Sequence, residues 1–361
     1  MPTDADGPSS RPRDAAVDPS VDPVESVVGA AAPDAPAPER VAPGSDRWRL
    51  GRRRDELEAR ATLTRDEIRA QVAATRAQLE ATNEKIAART GRNLPLAILF
   101  GLVLGGSMLI SLIVVKAFFM VVGAALLIFT TYELSSALRF AGRDVPRVPT
   151  VALSVLMVPA AFYLGEGGVW LVFLASVLAL ALWRTVEILV TRQQVSRGDY
   201  WQDVGAGTLI LAYVPFLGSF AVLLTAKEGG EWWTLAFLIL VIATDTGAYV
   251  SGLSFGKHPM APKISPKKTW EGFAGSVVVA LVAGILLAVF MIDMTWYFGI
   301  VFGLTIVATA TIGDLTESLI KRDLGIKDIS TWLPGHGGFL DRLDSVLPSA
   351  GAAYVLYILF S

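Results

Sequence analysis

Large apolar side chains dominate nine stretches of the chain, and each stretch is about as long as one crossing of a lipid bilayer. A transmembrane helix needs about 17–25 predominantly apolar residues. The stretches cover residues 95–115, 117–138, 148–165, 168–190, 204–225, 232–253, 271–292, 296–317 and 345–360. Glycine and proline inside several of them are tolerated in membrane helices. The pattern predicts an all-α, polytopic integral membrane protein with about nine transmembrane helices.

The segment before the first apolar stretch divides into two parts. Residues 1–45 are rich in Ala, Pro, Asp and Ser and poor in large apolar side chains, so we expect a disordered tail. Residues 46–92 are densely charged, with a thin apolar seam formed by Leu57, Ile68, Val72, Leu79 and Ile86. They are predicted to form a charged juxtamembrane helix, either solvated or lying on the membrane surface. An arm that docks a partner is the alternative. Residues 93–361 are predicted to form the transmembrane domain.

Composition agrees with a membrane protein and limits its chemistry. Of the 361 residues, 53% are hydrophobic and 18% are charged, which is more apolar than a typical soluble domain. The chain has no cysteine, which excludes disulfides and Cys-based nucleophiles or metal sites. Two histidines cannot build a His-rich metal site. The first residues lack the basic and apolar regions of a signal peptide.

The distribution of Lys and Arg predicts the orientation in the membrane. If the N-terminus is cytoplasmic, fourteen basic residues fall in or near the inner loops, and only Lys116 and Lys227 fall outside. Because inner loops carry the excess of basic residues, we expect the N-terminus inside and the C-terminus outside. The same orientation places two polar stretches, 254–270 and 318–344, on the cytoplasmic side.

The polar stretch near the end of the chain has the composition of a metal and phosphate site. One helical stripe, spaced i, i+3, i+4 and i+7, consists of Asp314, Glu317, Ser318 and Lys321. A second face, at the start of the next helix, consists of Asp341, Asp344 and Ser345. The run Gly335–Gly338 lies just before that helix, where glycines allow close backbone approach and helix N–H groups attract anions. Carboxylates, bases and such a loop together indicate a metal–phosphate site.

A second stretch adds an intramembrane carboxylate. Asp245 is predicted about two turns inside the cytoplasmic end of its helix. A charge at mid-helix costs roughly 2.5–3.5 kcal/mol on insertion scales, so Asp245 should face a polar cavity or a cation. A buried carboxylate paired with a base is the alternative. The predicted metal ligands are therefore Asp245, Asp314, Asp341 and Asp344. Hard oxygen ligands favour magnesium over zinc, and a second cation is left open.

Both stretches resemble the phosphatidate cytidylyltransferases, or CDP-diacylglycerol synthases. The first carries Ser318, Lys321-Arg322, Lys327-Asp328, Pro334–Gly338, Asp341-Arg342 and Asp344 at the spacing of that family's signature. The second carries Asp245, Ala248, Tyr249, Ser265–Thr269, Glu271 and Gly272. The resemblance is dense over roughly the last third of the chain, so the catalytic part is expected at about 232–361. It does not cover the first 92 residues.

The resemblance implies an enzyme of phospholipid biosynthesis that converts CTP and phosphatidic acid into CDP-diacylglycerol and pyrophosphate. The lipid phosphate would attack the α-phosphorus of CTP. Catalytic roles are expected for Asp314, Asp341, Lys321 and Arg342. Substrate contacts are expected for Ser265, Lys267, Lys268, Glu317, Ser318, Arg322, His336, Gly337 and Gly338. The expected location is the plasma membrane, with a cytoplasmic site and no nucleic-acid partner, and a homodimer is left open.

Several of these residues have simpler interpretations. Lys267 and Lys268 could be positive-inside anchors, and Lys321, Arg322 and Arg342 could form internal ion pairs. His336 could fix its loop by a hydrogen bond. Glu317 could support a metal ligand or pair with Lys321 at i+4. Trp232 and Trp233 are predicted to be interfacial belt residues.

Three other functions compete with this interpretation. A kinase or cytidylyltransferase for another lipid acceptor could share the same motif. A CDP-alcohol phosphotransferase needs an Asp-Gly-x-x-Ala-Arg run with carboxylates four apart, whereas Asp341 and Asp344 are three apart. A transporter would place charges near the midplane of several helices. The first five apolar stretches hold almost none.

Overall fold

A computed structural model describes residues 94–326, 328–330, 332 and 337–361. The predicted tail (1–45) and the predicted charged helix (46–92) lie outside the described residues, as does His336.

The first half of the described chain consists of six α-helices and two π-helical turns. The elements are α1 (Leu94–Val114), α2 (Lys116–Phe140), α3 (Arg147–Pro159), a π-helical turn (Ala160–Leu164), α4 (Gly165–Thr191), α5 (Arg197–Leu211), a second π-helical turn (Ala212–Phe216) and α6 (Leu217–Ala226). Each π-helical turn coincides with a proline, since Pro159 ends α3 and Pro215 lies inside the second turn. Proline removes a helical hydrogen bond, which accounts for the local widening of the helix.

The second half carries both polar motifs. Its elements are α7 (Gly230–Phe255), β1 (Pro259–Ala261), β2 (Ser265–Thr269), α8 (Trp270–Phe290), α9 (Trp296–Asp323), a short α10 (Leu340–Leu343) and α11 (Val346–Phe360). The side chain of Thr269 starts α8 by accepting a hydrogen bond from Gly272 N at 3.1 Å, as an N-cap residue does.

The predicted all-α polytopic membrane fold is confirmed. Seven helical stretches among the described residues are long and apolar enough to cross a membrane. One of them, Arg147–Thr191, has 45 residues, about twice the length of one crossing. Gly165, with φ +68°, interrupts it between α3 and α4. Every predicted apolar stretch coincides with helix in the structure, and the number of nine crossings stays a prediction.

Helices α7, α8 and α9 approach one another through glycines. A Cβ added at Gly303 of α9 would lie 2.4 Å from the carbonyl oxygen of Ala280 in α8. One added at Gly284 of α8 would lie 2.5 Å from the carbonyl oxygen of Gly299. Small residues of this kind let membrane helices pack backbone against backbone. A Cβ added at Gly272 of α8 would likewise lie 2.9 Å from the carbonyl oxygen of Ala248 in α7, so the three helices form one closely packed group.

Large apolar side chains also cover the outer faces of the helices. Leu178, Val278 and Leu253 are 71%, 62% and 75% exposed, as expected of side chains that face lipid. Trp232 is 46% exposed and remains compatible with an interfacial position. The prediction for Trp233 was wrong, because this residue is 4% exposed and packs in the core against Phe298.

The predicted loop 254–270 contains a small β-hairpin. Strand β1 pairs with β2 in antiparallel register, with Ala261 opposite Ser265. Glu271 supports the base of the hairpin by accepting hydrogen bonds from the backbone N–H groups of Lys257 (3.0 Å) and His258 (3.2 Å). The hairpin carries Lys267 and Lys268 next to the ends of α7 and α9.

Candidate active site

A cavity of about 640 Å³ lies where α7, the hairpin, the first turns of α8, the middle of α9 and the α10–α11 segment meet. Seven of the residues predicted for the site line it: Asp245, Lys267, Lys268, Asp314, Asp341, Arg342 and Asp344. The two motif stretches are separated by most of α8 and α9 in the sequence, yet both contribute to this cavity. The lining also includes the apolar side chains of Phe273 and Val307, so the cavity has both charged and apolar walls.

Carboxylates converge on one side of this cavity. One oxygen each from Asp314, Glu317 and Asp344 lie within 4.8 Å of one another. Asp245 is close enough to Asp314 and Asp344 to interact with both electrostatically. Glu317 is 1% exposed, and its Oε1 has no hydrogen-bond partner among the described residues. Several carboxylates with an unsatisfied buried oxygen fit a hard divalent cation, which takes oxygen ligands.

Lys321 joins two of the acidic residues. Its Nζ lies 2.6 Å from Glu317 Oε2 and 3.2 Å from Asp341 Oδ1. The i, i+4 pairing of Glu317 with Lys321 that the sequence allowed is therefore present, and Glu317 also belongs to the carboxylate group. Ser318, on the same helical stripe, donates a 3.5 Å hydrogen bond to Asp314 Oδ1. The polar stripe of α9 thus forms two bonded pairs, Asp314 with Ser318 and Glu317 with Lys321.

The basic residues occupy different positions around the cavity. Lys268 forms an ion pair with Asp314. Lys267 lines the cavity and is exposed, and it makes no ion pair within the part of the chain that the structure describes. Arg322 lies outside the lining, and its Nε donates to the carbonyl oxygen of Ile264 at 3.1 Å, which ties the hairpin tip to the end of α9. Ser265 is in β2 and is also not among the lining residues.

The glycines of the motif control the approach of the backbone to Asp341. Gly337 has φ +83°, a conformation that favours glycine, and an added Cβ would lie 2.6 Å from Asp341 Oδ2. Gly338 N donates to Asp341 Oδ2 at 2.9 Å. Neither glycine lines the cavity, so their described contacts shape the loop. The predicted roles of Gly337 and Gly338 in substrate binding stay predictions.

Sequence reasoning missed two buried residues beside the site, Glu133 and Tyr213. Glu133 of α2 accepts hydrogen bonds from the segment that precedes Asp341. Tyr213, in the second π-helical turn, donates from its hydroxyl to the carbonyl oxygen of Gly313 at 3.2 Å. Glu133 left a detectable signal, because a carboxylate inside an apolar run is expected to have a partner. Tyr213 left none, because tyrosine is common in membrane helices.

Together, the fold and the cavity define a multi-pass membrane protein with a carboxylate- and lysine-rich site at one end of its helices. The sequence matches the cytidylyltransferase family over residues 96–360. A phosphatidate cytidylyltransferase of Mycobacterium bovis is 40% identical over 276 residues, which cover 75% of this chain and 90% of the relative. Enzymes of that name from Mycobacterium leprae (39% identity, 75% and 89% covered) and Bacillus subtilis (35%, 52% and 70%) also match. The chain belongs to the cytidylyltransferase family.

Proposed function

We propose that the protein is a phosphatidate cytidylyltransferase, which transfers the cytidylyl group of CTP to phosphatidic acid and releases pyrophosphate. One observation carries the proposal: carboxylates and bases from both motif stretches line one cavity at the ends of membrane helices. The names of the relatives support the choice of substrates. An oxygen of the lipid phosphate attacks the α-phosphorus of CTP, a new P–O bond forms, and the bond to the β-phosphate oxygen breaks.

The chain's own residues have to bring two anionic substrates together. The lipid phosphate is itself an oxygen nucleophile, so no covalent protein intermediate is needed. Lys267 and Arg342 line the cavity, and in this proposal they contact phosphate oxygens. Lys321 is held between Glu317 and Asp341, so its main effect is to fix the positions of those carboxylates. The apolar part of the cavity lining fits the start of the acyl chains.

A divalent cation fits the carboxylate group, and we propose magnesium. Asp314, Glu317 and Asp344 would hold it, with Asp245 beside them; Asp341, bonded to Lys321 and Gly338 N, borders the same space. When bound, magnesium reduces the repulsion between the substrates and stabilises the charge on departing pyrophosphate. The sequence assigned ligand roles to Asp245 and Asp341, which stay predictions. Glu317 is an addition to that ligand set.

The location follows from the substrate and the charge distribution. The basic loops beside the cavity favour the cytoplasmic side, where CTP is available. We therefore propose a plasma-membrane enzyme with a cytoplasmic site and N-terminus, and with its C-terminus outside.

The test uses purified full-length protein in phosphatidic-acid vesicles with CTP and magnesium, and it measures CDP-diacylglycerol and pyrophosphate. We expect Asp314→Asn and Asp341→Asn to lower kcat at least about 100-fold, since each removes a charge from the reacting site. Asp323→Asn is the matched control: it makes the same change on the same helix, at an exposed residue that does not line the cavity.

Two results would reject parts of the proposal. A folded, membrane-inserted Asp314→Asn enzyme with the wild-type rate would reject the proposed role of the carboxylates in the reaction. A panel of lipid phosphates supplied with CTP tests the acceptor. Faster turnover of another lipid phosphate than of phosphatidic acid would change the proposed substrate but not the proposed chemistry.

Removing magnesium with a chelator should abolish turnover, and adding it back should restore turnover.

A further inference from the structure

Glu133 is a buried carboxylate in α2, far in sequence from both motifs. It is 2% exposed. Its Oε1 accepts a 3.0 Å hydrogen bond from Phe339 N, and its Oε2 accepts a 2.9 Å hydrogen bond from Leu340 N. The hydroxyl of Ser330 also donates to Oε1. Every donor belongs to the segment that leads into α10 and Asp341.

The chemistry of this contact explains why a carboxylate can be buried there. Within the described residues Glu133 makes no ion pair, so its oxygens are satisfied by hydrogen bonds instead. Backbone N–H groups at the start of a helical segment are good donors to a carboxylate. A buried carboxylate without such partners would be strongly unfavourable in a membrane protein. The carboxylate can therefore be buried because the segment supplies donors, and the N–H groups of the segment have the carboxylate as their acceptor.

The contact also explains a glycine of the motif. A Cβ added at Gly338 would lie 2.8 Å and 2.9 Å from the two oxygens of Glu133, so a larger residue would require the carboxylate to move from its position. The N–H group of Gly338 points to Asp341 Oδ2 at 2.9 Å. The backbone at 338–340 is thus held on one side by Glu133 and on the other by Asp341. Asp341 in turn contacts Lys321.

We propose that Glu133 is a positioning residue for the reaction: by holding the backbone of 338–340, it places Asp341 and, one turn later, Asp344 at the cavity. This inference rests on the proposed function, because it gives Glu133 its effect through two residues of that site. Glu133 does not line the cavity and touches no reacting group. It makes helix α2 part of the catalytic arrangement, although the family resemblance is dense only over the last third of the chain.

The test compares Glu133→Gln with a control at another buried carboxylate. Glutamine keeps the size but replaces one acceptor oxygen by a donor, so it cannot accept all three hydrogen bonds. Asp203→Asn is the control, since Asp203 is 6% exposed and pairs with Arg184 away from the cavity. Three quantities are measured: kcat, the magnesium concentration for half-maximal activity, and amide hydrogen exchange of residues 337–345 without substrates or metal.

For Glu133→Gln we expect kcat to fall about 10–100-fold and the magnesium requirement to rise by a similar factor, as for residues that orient metal ligands. Exchange of 337–345 should become at least about tenfold faster, since glutamine keeps only one acceptor oxygen and at least one of the N–H groups of Phe339 and Leu340 loses its acceptor. Asp203→Asn should lower thermal stability but leave all three quantities of the folded enzyme within about twofold of wild type.

A purely structural role for Glu133 gives a different result. A Glu133→Gln protein with less folded material, but with unchanged kcat, magnesium requirement and exchange, would overturn the proposal. If Glu133→Gln does not fold, Glu133→Asp and Ser330→Ala decide by the same measurements, and unchanged values in both overturn it. A wild-type chain that makes no CDP-lipid would refute the proposed function instead. The exchange experiment would still test whether the hydrogen bonds to Glu133 order residues 337–345.

Discussion

Single residues outside the motifs contact the segments that carry the proposed catalytic carboxylates. Tyr213 is 7% exposed, and its hydroxyl donates to the carbonyl oxygen of Gly313, the residue before Asp314. The contact joins the middle of the described chain to α9 across 100 residues. Because Asp314 belongs to the carboxylate group, a small movement of this turn of α9 changes the distances within that group.

We predict that Tyr213→Phe lowers stability by about 1 kcal/mol, the typical loss for one buried hydrogen bond, and lowers kcat severalfold. Tyr357→Phe is a matched control, since its hydroxyl also donates to a backbone carbonyl at 3.2 Å, that of Glu228, and it does not line the cavity. Thermal unfolding and CDP-diacylglycerol formation measure the two effects. Equal kcat for both variants would show that the Tyr213 contact does not affect the site.

The sequence predicted residues within a motif better than contacts between distant segments. Helical periodicity placed Asp314 and Lys321 on one stripe, and in the structure each forms an ion pair, Asp314 with Lys268 and Lys321 with Glu317. Periodicity carries no information about which helix packs against which, so Glu133 and Tyr213 were missed. The partners of Glu133 lie more than 190 positions away in the sequence, and the partner of Tyr213 lies 100 positions away. No local pattern in a single sequence indicates such contacts between distant segments.

At the scale of elements, the close packing of α8 and α9 makes a further prediction. Gly303→Ala should lower the free energy of unfolding by about 1–3 kcal/mol, because its Cβ would lie 2.4 Å from the carbonyl oxygen of Ala280 and the helices would have to separate. Gly205→Ala is the control, since an added Cβ there has no atom within 4 Å. Thermal unfolding in detergent measures both. An equal loss in the two variants would contradict the packing argument.

The β-hairpin shows where prediction of elements reached its limit. The sequence identified a polar segment with Lys267 and Lys268 but gave no strand pattern, since strands of three and five residues are too short for alternation to be visible. Contacts from other elements hold the hairpin, namely Glu271 at its base and Arg322 near its tip. Helices of spanning length were predicted well, because the bilayer itself requires long apolar helices.

At the scale of the whole described chain, contacts group the loops into two sets. Ion pairs join Lys116 to Glu231 at 2.6 Å and Lys227 to Glu166 at 3.5 Å, which places the loops after α1, α3 and α6 together. Asp144, in the α2–α3 loop, pairs with Arg184 near the end of α4 at 3.0 Å. The loops thus alternate between the two sets along the chain. The loop at Gly165 lies in the first set, whereas the loops before α3 and after α4 lie in the second. This supports α3 and α4 as separate crossings, which the prediction of nine crossings requires.

Orientation of these two sets in the membrane is the last prediction, and the absence of cysteine makes it directly testable. Single cysteines replace Lys263 in the hairpin and Glu228 in the α6–α7 loop, both exposed residues. Because the hairpin belongs to the basic loops that are predicted to be cytoplasmic, an impermeant maleimide should label Glu228→Cys in intact cells and Lys263→Cys only after permeabilisation. The opposite pattern would contradict the orientation. Since Lys267 and Lys268 reach the cavity from this hairpin, the side on which residue 263 is labelled is also the side from which CTP must enter.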